Sequence, residues 1–155
     1  SGLANLIVSD VVTRDIIEFN VEFPNENIHL YLKLKSSDPV YNIRRLRRLK
    51  GKPLILEHTF MPVHLVPNLT EDILHNSIYN YLHQDLKLKF GIAYRKIKAV
   101  KADDWDQKYL KAKKNDPILE LEQIVWLNNG QPVEYSTSRN RYDERNYVVV
   151  ETNSF

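Results

Sequence analysis

Apolar and polar residues alternate between positions 10 and 23. Ile17, Phe19, Val21 and Phe23 share one parity, and Arg14, Glu18, Asn20 and Glu22 share the other, which predicts a half-buried strand. Pro24-Asn25-Glu26-Asn27 breaks it. Ile28, Leu30, Tyr31, Leu32 and Leu34 then predict a short helix, ended by Ser36-Ser37-Asp38-Pro39. Residues 40–49 and 53–61 read as a hairpin. Pro62 and Pro67 bracket an irregular stretch, and Asn68 to Asp72 reads as a turn or helix start. A helix beginning at Asn76 or Ser77 carries Ile78, Tyr81 and Leu82. Residues 89–101 predict a long strand with Phe90, Ile92, Tyr94 and Val100 on one parity. Asp103-Asp104 suits the start of a short helix with Trp105, Tyr109 and Leu110, because carboxylates favour helix N-termini. Strands at 117–127 and 132–140 make a second hairpin, and Tyr147 to Thr152 predicts a final strand.

The two hairpins share a signature. Leu49-Lys50-Gly51-Lys52-Pro53 leads to Glu57, and Leu127-Asn128-Asn129-Gly130-Gln131-Pro132 leads to Glu134. Gly supplies the positive φ of a hairpin turn, and Pro opens the returning strand without donating a ladder hydrogen bond. Strands joined by tight hairpins make an antiparallel sheet, so the order of elements predicts an α+β fold rather than a doubly wound one.

Composition narrows the classes. A chain of 155 residues, 43 % hydrophobic and 27 % charged, is one ordinary domain. Its net charge of +2 argues no nucleic-acid footprint. There is no Cys, which excludes disulfides, thiolate-held zinc and thiol nucleophiles. No apolar run reaches the ~18 residues of a membrane span. A start at Ser1-Gly2 without Met suggests an excised domain with a partner domain missing.

Candidate chemistry concentrates near the hairpins. Arg45 and Arg47 share a strand face with Tyr41, Ile43 and Leu49, while Arg44 and Arg48 share the other with Leu46. If the first face is covered, its two Arg need partners. An anionic ligand would serve, since the guanidinium fork matches carboxylate or phosphate. So would a structural pair with Glu57, and a solvated basic strand is the third reading. Glu134 stands in a polar row with Ser136, Ser138 and Asn140, suited to sugar-like hydroxyls or simply to an exposed face. Ser77 reads as a helix cap or as an anion contact, with Tyr79 beside it. His29, His58, His64, His75 and His83 show no metal spacing, and no P-loop or dinucleotide fingerprint is present. No metal or cofactor is expected.

Arg45-x-Arg47, Lys50 to Glu57, Pro62, Leu74-His75-Asn76-Ser77-Ile78-Tyr79-Asn80-Tyr81-Leu82, Asn115-Asp116-Pro117, Asn129-Gly130-Gln131-Pro132-Val133-Glu134-Tyr135-Ser136 and Arg141-x-Asp143 together resemble the UTRA domain. This is the effector-binding domain of the HutC branch of GntR-type bacterial transcription regulators. The resemblance implies a chorismate-lyase-like antiparallel sheet with helices packed against it, and a winged helix-turn-helix domain preceding residue 1. It implies a cytoplasmic homodimer that binds a small organic anion, often a phosphosugar, and touches operator DNA through the missing domain. Arg45, Arg47, Ser77 and Tyr79 would hold the anionic end, and Glu57 and Glu134 the sugar side. At Asn140 many sugar-binding relatives carry Tyr, a departure at the sugar floor. A chorismate-lyase-like enzyme acting on a carboxylated substrate is the alternative, and a purely structural dimerisation module a third.

Overall fold

A computed structural model describes residues 12–153. Six strands form one antiparallel sheet in the order β1-β2-β3-β6-β5-β4. They are β1 (Val12–Glu22), β2 (Val40–Leu49), β3 (Lys52–Pro62), β4 (Phe90–Lys101), β5 (Pro117–Leu127) and β6 (Pro132–Arg141). The two hairpins meet at the centre, where β3 pairs with β6. Their turns differ. Lys50 and Gly51 both have positive φ, a two-residue turn, whereas only Gly130 does so in the second.

Helices cover both faces. On one face lie α1 (Glu26–Tyr31) and α4 (Asp104–Tyr109). Asn25 caps α1 by accepting from Ile28 N, so this helix starts two residues before the predicted apolar run. The α4 helix opens on a capping box between Asp103 and Asp106. On the other face lie α2 (Glu71–Leu74), α3 (Ile78–Asn80) and a π-helical turn, Tyr81–Asp85. Val66, Leu69, Leu74, Ile78 and Leu82 pack there on Tyr41, Ile43, Met61, Val125, Leu127 and Val133. Burying such side chains stabilises the sheet by about 1.5–3 kcal/mol each.

Three expectations need correction. The alternation of β1 is interrupted by a bulge at Ile17, between Ile16 and Glu18. Phe19 and Ile16 therefore face the α2–α3 side while Ile17 packs on the other, with Leu46 and Leu56. Val21 and Phe23, expected to be buried, are exposed. Residues 10 and 11 of the expected strand lie outside the described residues. Strand β4 is an edge strand with Ile92 and Tyr94 exposed, and a second irregularity separates Phe90 from Ala93. Tyr147 to Thr152 joins no strand ladder among the described residues, and Val148, Val149 and Val150 are 80, 77 and 86 % exposed. A run of β-branched residues favours an extended chain but cannot supply its own ladder partner.

Candidate functional site

One face of the central strands changes character along its length. At the end far from the Lys50-Gly51 turn and beside the Asn129-Gly130 turn it is the apolar core under α2 and α3. Beyond that it becomes polar: Arg14, Arg45, Arg47, Glu57, Thr59, Ser136, Ser138, Glu134 and Gln123 line a cavity of about 120 Å³, roofed by Ser77, Ile78 and Tyr79. That volume is below the roughly 300 Å³ of a drug-sized ligand pocket. It suits a small polar anion rather than a large apolar ligand.

Strand pairing delivers these side chains. Opposite residues in an antiparallel pair share a face, so Arg45 meets Glu57 and Glu57 meets Ser138. Gln123 meets Ser136 on the next pair. Glu57 is buried at 9 % exposure; its Oε2 accepts from Arg45 Nη2 at 3.3 Å, and its Oε1 lies in ion-pair contact with Arg47 Nη2 at 2.8 Å. Burial pushes its carboxyl up, but Arg47, Arg45 and Arg14 together outweigh this and hold it below the ordinary carboxylate range. Glu134 is the opposite case. Burial dominates, its hydrogen bonds from Ser136, Tyr79 and Gln123 do not offset it, and its carboxyl is pushed up. The site thus pairs a firmly ionised Glu57 with a Glu134 inclined to keep its proton.

The arginines divide their work. Arg45 Nη1 donates to the carbonyls of Leu74 at 2.7 Å and Asn76 at 3.0 Å, tying the α2–α3 connection to the sheet. It therefore positions Ser77 as much as it offers charge. Ser77 Oγ accepts from Asn80 N at 3.3 Å, so the capping role is real, while the same residue lines the cavity. Tyr79 is 40 % exposed, yet its hydroxyl turns inward and accepts from Gln123 Nε2 at 2.8 Å. Burial and the neighbouring Glu134 push its phenol up.

Six of the seven residues singled out from the sequence line this one cavity: Arg45, Arg47, Glu57, Ser77, Tyr79 and Glu134. Asn140 does not. It lies on the same face two positions beyond Ser138, fully buried, outside the lining, with both amide atoms lacking a partner among the described residues. Arg14, Thr59 and Gln123 also line it and escape sequence reading. Gln123 sits mid-strand without a marking pattern, and its position opposite Ser136 is set by register alone. Arg14 was assigned to the solvent parity of β1, and the bulge reverses that.

Among the described residues no helix is long and apolar enough to cross a membrane, and no cluster of three or more His, Asp or Glu side chains could hold a metal ion. Residues 9–145 match the UTRA domain family. The chain is 43 % identical over 152 residues to the HTH-type transcriptional regulator GmuR of Bacillus subtilis, a match covering 98 % of this chain and 63 % of that protein. Its fold resembles the crystal structure of the B. subtilis regulator YydK, with a TM-score of 0.86 and 28 % identity over 91 % of this chain and 62 % of that one. It also resembles the effector-binding domain of the B. subtilis trehalose repressor TreR, with a TM-score of 0.81 and 27 % identity over 92 % of this chain and 99 % of that one. The chain spans 63 and 62 % of the two longer regulators, GmuR and YydK.

Proposed function

This chain belongs to the UTRA family, the effector-binding domains of GntR-type transcriptional regulators, and on that premise we propose that its cavity binds a small phosphosugar and thereby alters how a dimeric repressor in the cytoplasm holds its operator. The domain has the α+β, chorismate-lyase-like fold of these effector-binding domains and is regulatory, not enzymatic. The observation that carries the effector reading is the guanidinium cluster, Arg45 buried and Arg14 and Arg47 half-buried, on a face otherwise lined by hydroxyls, amide and carboxyl groups. Guanidinium forks suit the phosphate. The carboxyl groups of Glu57 and Glu134 suit sugar hydroxyls, which both donate and accept. Ser77 and Tyr79 close the anionic end from the helical side. Asn140 is assigned no direct contact.

Coupling to DNA would follow from population shift. An effector that binds one arrangement of the two DNA-binding arms better biases the parent toward it. Reversing a 1:99 equilibrium takes about 5.5 kcal/mol of differential affinity. The exposed edge strand β4 and the unpaired β-prone segment at 147–152 support a second copy of the chain as partner.

Calorimetry with phosphorylated and unphosphorylated hexoses tests this. A phosphorylated hexose binds and its parent sugar does not, and Arg47→Ala weakens binding by about 10–100-fold, the weight of a charge-assisted hydrogen bond. Arg45→Ala weakens it too and lowers the melting temperature, since Arg45 also ties down the α2–α3 connection. Equal affinity for both sugars, or unchanged binding by both variants, rejects the phosphosugar. Sedimentation of the same samples as a monomer rejects the dimer.

A further inference from the structure

We propose that Arg14, turned into the cavity by the bulge at Ile17, makes the site select a doubly charged anionic head over a singly charged one; this rests on the effector reading above. The register of β1 carries the inference. Phe19 lies opposite Ile43 and Glu18 opposite Arg44. Continued without interruption, that register would set Ile17 opposite Arg45 and Asp15 opposite Arg47. An ion pair between Asp15 and Arg47 would then help neutralise the cluster. The extra residue shifts the ladder by one, so Ile16 meets Arg45 and Arg14 meets Arg47. Asp15 is sent to the opposite face, where it takes Arg48 Nε at 2.7 Å.

The bulge therefore replaces an available cross-strand attraction with a repulsion. Like charges directly opposite each other in a sheet are unfavourable, and bulges often re-aim a side chain beside a site. Three guanidinium groups now share one face with Glu57 as their near carboxylate. Arg14, Arg45 and Arg47 each keep a buried Nε without a partner among the described residues. Burial, Arg47 and Arg45 bring Arg14 down to about 10, so it is still cationic at neutral pH. Three cations against Glu57, the carboxylate in contact with Arg45 and Arg47, leave an excess of two charges around Arg14, 3 − 1. A phosphomonoester dianion supplies two; a carboxylate or a phosphate monoanion supplies one.

The groups facing Arg14 are Arg47 and Arg45 on β2, Glu57 on β3, Glu134 on β6, and His75 from the α2–α3 connection. His75 Nδ1 lies 3.0 Å from the Arg14 carbonyl oxygen. A pH test must separate His75 from the ligand's own ionisation. Glucose 6-phosphate loses its second proton near pH 6, whereas sulfate is a dianion throughout, so sulfate reports protein titration alone.

Calorimetry at pH 5 and pH 8 with both anions is the experiment. The wild-type chain binds glucose 6-phosphate about tenfold tighter at pH 8 than at pH 5, and sulfate does not follow. Arg14→Gln lowers the pH 8 affinity by about tenfold or more, the weight of one charge-assisted hydrogen bond, and flattens the pH dependence. Arg14→Lys retains it. Without added anion, Arg14→Gln melts higher than wild type, because the repulsion with Arg47 is gone. Equal weakening at both pH values, Arg14→Gln binding like wild type, or a sulfate profile that parallels the phosphate one overturns the inference alone. Wild type with no affinity for either anion overturns the effector reading and this inference together.

Discussion

Arg139 and the three cavity arginines occupy opposite faces of the same sheet, and their partners differ. On the α4 face, Arg139 is saturated. Its Nε and Nη2 reach Asp106 at 2.9 and 2.8 Å, and its Nη1 reaches Glu120. Asp106 is fully buried and also closes the capping box of α4. Burial alone would lower the Arg139 pKa, but Asp106, Asp103 and Glu120 raise it instead. On the cavity face, Arg14, Arg45 and Arg47 share Glu57. A buried cation is tolerated when hydrogen bonds and counter-charges close around it. Arg139 meets that condition within the chain, whereas Arg14, Arg45 and Arg47 each keep a buried Nε without a partner among the described residues. The contrast lies in the balance of charge and partners, since the residue types are the same.

The largest effect should come from breaking the closed network. Asp106→Asn strips the buried counter-charge from Arg139 and should cost about 3–5 kcal/mol. Urea unfolding measures it.

A smaller, pH-dependent effect separates the two carboxyls of the cavity. The folded-state pKa of Glu134 is raised above its ordinary 4.5. A raised group favours the fold below its unfolded value and loses that contribution as pH rises through its folded value. Glu134→Gln, which mimics the protonated form, should therefore be more stable than wild type at pH 8, with the gap closing below about pH 4.5. Glu57, lowered by its arginines, behaves oppositely: its contribution is present above 4.5 and is lost as pH falls through its folded value. Melting curves of Glu134→Gln from pH 4 to 8 that run parallel to wild type would contradict the assignment.

The smallest effect belongs to the pair that the bulge created on the outer face. Asp15 and Arg48 are in contact at 2.7 Å, but both are substantially exposed. Asp15→Ala should change unfolding stability by no more than about 1 kcal/mol and leave anion affinity unchanged. A large loss would mean that the outward turn of Asp15, rather than the inward turn of Arg14, is what the bulge secures.

Much of the site was legible because it depends on local rules. The parity of β2 put Arg45 and Arg47 on one face, and the Gly turns set where β3 and β6 begin. Ser77 at a helix start placed the roof. Arg14 was not legible, because a bulge leaves no mark in an alternating sequence and its effect is to reverse the parity of everything before it. Gln123 was missed for a related reason: only register gives it neighbours. The segment at 147–152 shows the converse error. Its Tyr and Val residues have strand propensity, but a strand needs an edge to pair with, and propensity cannot supply one.

Periodicity, turn chemistry and short-range spacing were enough to place the six sheet strands, the two hairpins, the caps at Ser77 and Asp103, and the family. The tertiary structure alone decided which charges meet. Asp106 and Arg139 are 33 residues apart, and Arg14 reaches Arg47 across two strands through a one-residue shift. Long-range pairing and register fix such neighbours, and with them the difference between an arginine enclosed by carboxylates and three that share one.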